Sequence, residues 1–189
     1  MHSHRAVAAP SPTAMSSLPP AWHRSASPAS PPRPLRRGNR RGIVKAPIAD
    51  LADFAALTPF FRIIEQGLDG LTRPGHFFDI LAEDITVEYV VTVPGYPRHI
   101  EGRAAVAELY RPYGTMIILD RCFDLAVHHD ATKGVVVLEY ASEGHVAGTG
   151  RRYSNRYISV LTLREGEVAH WRDYLDPVAV LDAVGWPPR

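Results

Sequence analysis

Residues 157–177 have the sequence YISVLTLREGEVAHWRDYLDP, in which two segments of alternating apolar and polar residues flank a turn. This pattern predicts a β-hairpin. A two-residue loop would require a positive φ at Glu165, which is unfavourable, whereas a three-residue loop from Arg164 to Gly166 requires it only at the glycine. We therefore expect the three-residue loop, and this loop determines which side chains face one another.

The three-residue loop pairs Leu163 with Glu167, Leu161 with Ala169, Ser159 with Trp171, and Tyr157 with Asp173. One face of the hairpin then collects the apolar side chains of Leu161, Leu163, Ala169, Trp171 and Leu175, and we expect this face to pack under helices. Asn155, Tyr157 and Asp173 lie on the same face, and directly opposed side chains on a sheet meet. The sequence thus predicts a phenol beside a carboxylate on an apolar wall.

Asp173 is the first candidate for chemistry. Desolvation on an apolar wall disfavours the ionised carboxylate, and such a group is suited to general acid or base catalysis near neutral pH. We predict that Asp173 moves a proton and that Tyr157 donates a hydrogen bond to the reacting oxygen, with Asn155 and Trp171 binding substrate. The alternative is a buried aspartate that Tyr157 and Asn155 satisfy, with no substrate at all.

Asp176 is a second candidate for the catalytic carboxylate. However, Asp176-Pro177 precedes an apolar segment that ends at Gly185, and this pattern predicts an N-cap, a proline in the first turn and the end of a short helix. Because a structural role explains Asp176 well, Asp173 is the preferred residue of the two.

Three further side chains are predicted to bind substrate. The apolar residues of segment 134–147 lie at even positions, so Tyr140 and Ser142 face the same cavity, and His99 lies near its entrance, beside the interruption at Pro94–Pro97. The segment His128-His129-Asp130 has no third converging ligand, and no glycine-rich phosphate-binding motif is present. We therefore expect neither a metal nor a cofactor.

The remaining pattern predicts helices followed by strands. We expect helical segments at 51–57, 58–67 (with Thr58 as the N-cap), 75–82 and 103–113, and strands at 85–91, 116–128, 134–147, 152–164 and 167–175. Helices that precede a strand meander favour an α+β fold, with the helices on one face of a mostly antiparallel sheet.

Charge divides the 189 residues into two parts. Residues 1–49 carry eight basic and no acidic residues, whereas residues 50–189 carry 13 basic and 20 acidic residues, a net charge of −7. We predict a disordered, basic Pro/Ser/Arg-rich tail at 1–46 and one domain at 47–189. No apolar run reaches about 20 residues, so we expect no membrane span, and the acidic domain makes nucleic acid an improbable partner. We expect a cytoplasmic location, with a transit-peptide interpretation of the tail left open.

Three motifs of the C-terminal third carry a family resemblance: Thr149–Tyr157 (TGRRYSNRY), Leu161–Val168 (LTLREGEV) and Trp171–Pro177 (WRDYLDP). Together with the helical start, they resemble the SnoaL-like branch of the nuclear-transport-factor-two-like superfamily, over about residues 50–187. The resemblance implies a cone-shaped α+β barrel, in which a strongly bent sheet wraps around N-terminal helices, with a ligand cavity and usually a homodimer. It implies Asp173 as the acid/base by similarity to phenazine-biosynthesis-type relatives, and Asp176 by similarity to the polyketide cyclases.

Two functional hypotheses follow. The first is a cofactor-independent lyase or isomerase, cyclase- or dehydratase-like, that acts on a small hydrophobic, oxygenated metabolite of secondary metabolism through carboxylate acid/base chemistry. The second is a non-catalytic module of the same fold that binds a small molecule or assembles as a dimer.

Overall fold

The computed structural model describes residues 51–185. The tail predicted at 1–46 lies outside the described residues. The structure begins with a 3₁₀ helix at Leu51–Leu57 and α1 at Thr58–Gly67, followed by β1 at Leu81–Tyr89 and β2 at His99–Glu101. After them come α2 at Arg103–Tyr110, a 3₁₀ helix at Arg111–Thr115, β3 at Ile117–Asp130, β4 at Val135–Val146, β5 at Arg152–Arg164, β6 at Glu167–Leu175 and α3 at Pro177–Val184.

The described strands form one six-stranded sheet in the order β2-β1-β6-β5-β4-β3. Only the β1–β6 pair is parallel, and the other four pairs are antiparallel. The sheet is bent but not closed into a barrel, because β2 and β3 remain its two edges. The predicted α+β class, with helices that pack on a mostly antiparallel sheet, is confirmed.

The core lies between the N-terminal helices and the inner face of the sheet. Phe54, Phe77 and Phe78 are completely or almost completely buried there, together with Leu138 of β4 and Trp171 of β6. Helix α1 approaches β4 closely at Gly67, where an added Cβ would come within 2.8 Å of a Leu138 methyl group. The helices therefore fill one end of the curved sheet.

Two helix predictions are wrong for local reasons, the first in the position of an N-cap and the second over a whole segment. Thr58 is already helical, and Leu57 takes the N-cap position without a side-chain hydrogen bond. The segment predicted as a helix at 75–82 forms turns and then the start of β1 at Leu81. Its apolar residues Phe77, Phe78 and Ile80 are all buried, so they do not mark one face of a helix, and the helical periodicity was misleading.

The hairpin turn also differs from the prediction. Glu165 and Gly166 form a two-residue loop with φ of 54° and 77°, the left-handed pair of a type I′ turn, whose twist matches that of the flanking strands. An irregularity between Thr162 and Leu163 leaves Ala169 as an extra residue in β6. Val168, not Ala169, therefore fills the buried position near the turn.

The two changes together shift the register by two residues. The observed pairs are Leu161 with Trp171, Ser159 with Asp173 and Tyr157 with Leu175. Because side chains alternate with a period of two, an even shift keeps Trp171 and Asp173 on the predicted inner face. It does change the neighbour of Asp173, which is Ser159 and not Tyr157.

Candidate active site

A mostly apolar cavity of about 100 Å³ lies between the helices and the sheet. Its wall combines apolar side chains from both layers, including Phe60, Leu119 and Val180, with Ser142, Cys122, Asp173 and six tyrosines, Tyr89, Tyr96, Tyr110, Tyr113, Tyr153 and Tyr157. The six tyrosines make the cavity rich in hydroxyl groups on an otherwise apolar surface.

Asp173 is the one carboxylate among the described residues that line the cavity. Strand β6 presents it on the inner face, where its side chain is 7% exposed. Ser159 Oγ donates a hydrogen bond of 2.7 Å to Asp173 Oδ1, and Trp171 Nε1 donates a second of 3.2 Å to the same oxygen. Burial raises the pKa of Asp173 to about 6, although both hydrogen bonds act in the opposite direction.

Four tyrosines form one hydroxyl cluster beside Asp173, which we call the Tyr110 cluster: Tyr89, Tyr96, Tyr110 and Tyr113. Tyr96 Oη lies 2.6 Å from Tyr113 Oη and donates to Tyr89 Oη at 3.3 Å, and Tyr89 Oη donates to Tyr110 Oη at 3.4 Å. The parallel β1–β6 register places Tyr89 next to Asp173. Burial raises the pKa of all four phenols, and the charge of Asp173 raises the pKa of Tyr110 further.

A second cluster, the Tyr157 cluster, consists of Ser142, Tyr153 and Tyr157. Tyr157 Oη lies 3.1 Å from Ser142 Oγ and 2.9 Å from Tyr153 Oη. Burial raises the pKa of both phenols, and the charge of Asp173 also raises that of Tyr153. The predicted contact between Tyr157 and Asp173 is therefore wrong, since the hydroxyl of Tyr157 is bonded within its own cluster.

The other predicted substrate-binding residues have different places. Tyr140 is buried, and its Oη lies 3.1 Å from Ser159 Oγ. It therefore positions Ser159, which donates a hydrogen bond to Asp173. Trp171 is buried and contacts Asp173 through its indole N–H. Asn155 donates to Tyr153 Oη at 3.0 Å and accepts a hydrogen bond from the backbone N–H of Asp176 at 2.9 Å. Of the predicted substrate-binding residues, Ser142 lines the cavity itself.

His99 and Asp176 lie outside the described lining of the cavity. His99 is exposed on edge strand β2, and its Nε2 lies 3.1 Å from Glu101 Oε1. Asp176 is the N-cap of α3, where Oδ1 accepts hydrogen bonds from the backbone N–H groups of Val178 and Ala179. The left-handed Gly185 ends that helix, as its sequence pattern predicts.

The sequence pattern did not indicate Ser159 or the four tyrosines of the Tyr110 cluster as site residues. The predicted register paired Ser159 with Trp171, so its contact with Asp173 was not expected. The tyrosines come from β1, the following loop, α2 and the 3₁₀ helix, so no single strand pattern brings them together. The available signal was that Tyr89 and Tyr110 occupy apolar positions of their elements, where a phenol hydroxyl requires a buried partner.

Within residues 51–185, no three His, Cys, Asp or Glu side chains are grouped so that they would hold a metal ion. In the same part of the chain, no helix has the length and apolar character required to span a bilayer.

Comparison with known proteins gives the family. The family model described as the SnoaL-like domain matches residues 69–171, more than half of the chain. The chain belongs to the SnoaL-like domain family. The family match covers β1 to Trp171 and stops just before Asp173.

Two relatives of this SnoaL-like protein are similar in sequence. The uncharacterized protein YesE of Bacillus subtilis is 34% identical over 103 residues, which span 54% of this chain and 70% of YesE. An uncharacterized PhzA/B-like protein of Pseudomonas aeruginosa is 25% identical over 107 residues, which span 57% of this chain and 75% of that protein.

Solved structures share the fold of the SnoaL-like protein. The crystal structure of a proposed isomerase from Bacillus subtilis has a TM-score of 0.57 and 28% identity, and the match covers 69% of this chain and 90% of that chain. A phenazine biosynthesis-related protein from Pseudomonas aeruginosa has a TM-score of 0.53 at 17% identity, with 68% of this chain and 88% of that chain covered, which shows the fold alone.

Proposed function

We propose that this SnoaL-like protein is a cofactor-independent lyase or isomerase, in which Asp173 moves a proton on a small, mostly apolar, oxygenated substrate. The observation that carries the proposal is the position of Asp173, a buried carboxyl group on the wall of an apolar cavity, with a pKa of about 6. A pKa close to neutral lets the same group accept and return a proton. The proposed isomerase from Bacillus subtilis named above adds support by similarity.

The hydrogen bonds of Asp173 suit this role. Ser159 and Trp171 both donate to Oδ1, so they fix the carboxyl group and leave Oδ2 as the oxygen that meets a ligand. On the other side of the residue, the backbone carbonyl of Asp173 accepts a hydrogen bond of 3.0 Å from Val90, which anchors this part of β6 to the chain that follows β1. The carboxyl group is thus held in place before a substrate enters.

The proposed reaction begins at a carbon next to a carbonyl group. Asp173 Oδ2 takes the proton, the electrons of the broken C–H bond form a C=C bond, and the carbonyl oxygen becomes an enolate oxygen. A tyrosine hydroxyl, with Tyr157 as the predicted residue, donates a hydrogen bond to that oxygen. Protonated Asp173 then returns the proton, to another carbon in an isomerase or to a leaving oxygen in a lyase.

The experiment measures the exchange of α-protons in D₂O, because exchange reports proton removal even when the natural substrate is unknown. Cyclohexanone and substituted cyclohexanones would be incubated with the full chain, and deuterium uptake followed by NMR. We expect faster exchange with the wild type and a loss of about a hundredfold or more of this acceleration in Asp173→Asn. Asp176→Asn is the matched control, because asparagine also caps a helix and should leave exchange unchanged.

Equal exchange by the wild type and Asp173→Asn would reject Asp173 as the base. Exchange lost only in Asp176→Asn would move the assignment to that residue. Binding of a ketone with no exchange by either protein would favour the non-catalytic binding module.

A further inference from the structure

The Tyr110 cluster leaves one hydroxyl proton unused. Tyr89 donates to Tyr110, and Tyr96 donates to Tyr89, so the proton of Tyr96 is committed and Tyr113 must donate to Tyr96. Each hydroxyl has one proton, and Tyr110 only accepts within the cluster, from Tyr89, so its own proton is not used there. Among the described residues, no hydrogen bond accepts this proton. The hydrogen bonds of the cluster therefore all run in one direction and end at Tyr110, whose hydroxyl can donate to a ligand in the cavity.

A count of hydroxyls and bonds gives the same result for the Tyr157 cluster. Three hydroxyls are joined by two bonds, so one hydroxyl proton again has no acceptor within the cluster. The pair Tyr140 and Ser159 differs, because Ser159 donates to Asp173 and Tyr140 must donate to Ser159, which uses both protons. Each cavity cluster thus offers one donor, and the group that holds Asp173 offers none.

Asp173 lines the same cavity as Tyr110 and the Tyr157 cluster. Its charge raises the pKa of Tyr110 in the first cluster and of Tyr153 in the second, which places the carboxyl group within electrostatic reach of each. The described lining of the cavity contains no Lys, Arg or His. An anionic ligand would lie beside Asp173 without a counterion, and burial of an unpaired charge is unfavourable.

From these observations we propose that the cavity selects an uncharged ligand with two oxygen functions, one for Tyr110 and one for the Tyr157 cluster. The ligand class is a small cyclic or branched ketone that carries a second oxygen, such as a β-hydroxy ketone, because the cavity is small and mostly apolar. This inference rests on the proposed function for the role of Asp173, but ligand selection does not require that Asp173 reacts. In this arrangement Tyr157 or a hydroxyl bonded to it binds the oxygen next to the reacting carbon, and Tyr110 binds the second oxygen of the ligand.

The test compares four ligands of similar size on the full chain at pH 7.5 by NMR titration. 3-Hydroxycyclohexanone carries two oxygen functions, cyclohexanone carries one, 3-oxocyclohexane-1-carboxylate is an anion and cyclohexylammonium is a cation. We expect 3-hydroxycyclohexanone to bind about fivefold or more tightly than cyclohexanone, since it makes one more hydrogen bond. We expect the anion and the cation to bind more weakly than either neutral ligand.

Variants locate the binding and separate it from catalysis. Tyr110→Phe moves the free donor away from Asp173, so it should reduce the affinity for 3-hydroxycyclohexanone, while Tyr174→Phe, which changes a tyrosine outside the described lining, should not. Asp173→Asn should still bind 3-hydroxycyclohexanone more tightly than cyclohexanone. If this variant loses proton exchange but keeps that preference, the substitution has removed the base and left ligand selection intact. Circular dichroism and melting curves would confirm that each variant is folded, and the ligand comparison on the wild type requires no variant.

Three results would overturn the inference. The first is equal affinity of the wild type for 3-hydroxycyclohexanone and cyclohexanone. The second is tighter binding of the carboxylate or of the ammonium ion, the latter indicating that the aromatic wall and Asp173 form a cation site. The third is no binding of any of the four ligands at a concentration of about 10 mM.

Discussion

Asp173 lowers the stability of the folded chain at neutral pH. Its pKa rises from 3.8 to about 6 in the folded state, so between these values the folded chain keeps a proton that the unfolded chain has released. Stability therefore falls as the pH rises through this window, and the full cost, roughly 2 to 3 kcal/mol, is present above pH 6. An aspartate kept for packing alone would be a poor choice at this position.

The first prediction follows from this fall in stability with rising pH. Asp173→Asn has no ionisable group, so its free energy of unfolding relative to the wild type should increase by about 2 kcal/mol between pH 4 and pH 8. Urea unfolding at several pH values measures this difference. Over the same range, proton exchange by the wild type should increase as the carboxylate forms near pH 6.

Asp176→Asn again supplies the control for this pH series. Its carboxyl group is exposed at the N-cap of α3, and asparagine makes the same cap. A parallel pH dependence in Asp176→Asn and Asp173→Asn would show that the effect does not come from the buried carboxyl group.

At the scale of elements, the β3–β4 pair depends on one close backbone approach. Gly144 pairs with Leu119 beside a register irregularity, and a Cβ at Gly144 would collide with the Ile118 carbonyl oxygen and come within 2.9 Å of Leu119 Cα. The strands cannot separate locally without losing neighbouring hydrogen bonds. Gly144 is therefore required by packing between backbones.

We predict that Gly144→Ala lowers the free energy of unfolding by about 3 kcal/mol. Gly148→Ala, in the turn after β4, should cost only about 1 kcal/mol, because its φ of 80° is unfavourable for alanine but no atom lies within 4 Å of the added Cβ. Denaturant midpoints of the two variants test the difference. Equal losses would mean that β3 moves away at little cost.

The elements also show what the sequence could predict. Strands β3 to β6 and helix α3 were predicted almost to the residue, because alternating burial, glycine turns and the Asp-Pro cap are local signals. The hairpin register was not, since it depends on Glu165 accepting a left-handed φ and on an extra residue at Ala169. Local propensity favours neither feature, because both arise from the pairing of β5 with β6.

At the scale of the whole molecule, the family and the position of Asp173 could be inferred from the sequence, but the cavity wall could not. Tyr89 reaches Asp173 through the parallel β1–β6 pair, and Tyr96 and Tyr113 arrive from non-regular segments. Such contacts join residues that are distant in the sequence. Their hydroxyl network depends on the packing of all layers and leaves no pattern along the chain.

The single cysteine provides a probe of access to the cavity. Cys122 lines the cavity, and burial raises the pKa of its thiol to about 12. Because the thiolate is the reactive form, alkylation by iodoacetamide at pH 8 should be on the order of a hundredfold slower in the folded chain than in urea. A bound ligand should slow it further. Intact-mass measurements over time test this, and equal rates with and without urea would show that the folded chain does not protect Cys122.

The parallel pairing of β1 with β6 also bears on how the chain is made. Until β6 has left the ribosome, β1 can pair only with the three residues of β2, and its apolar residues Ile85 and Val87 have no second strand beside them. Strand β6 joins β1 to β5 in the sheet, and its nine residues include Asp173. A nascent or C-terminally shortened chain that ends before β6 therefore lacks both the strand between β1 and β5 and the buried carboxyl group of Asp173.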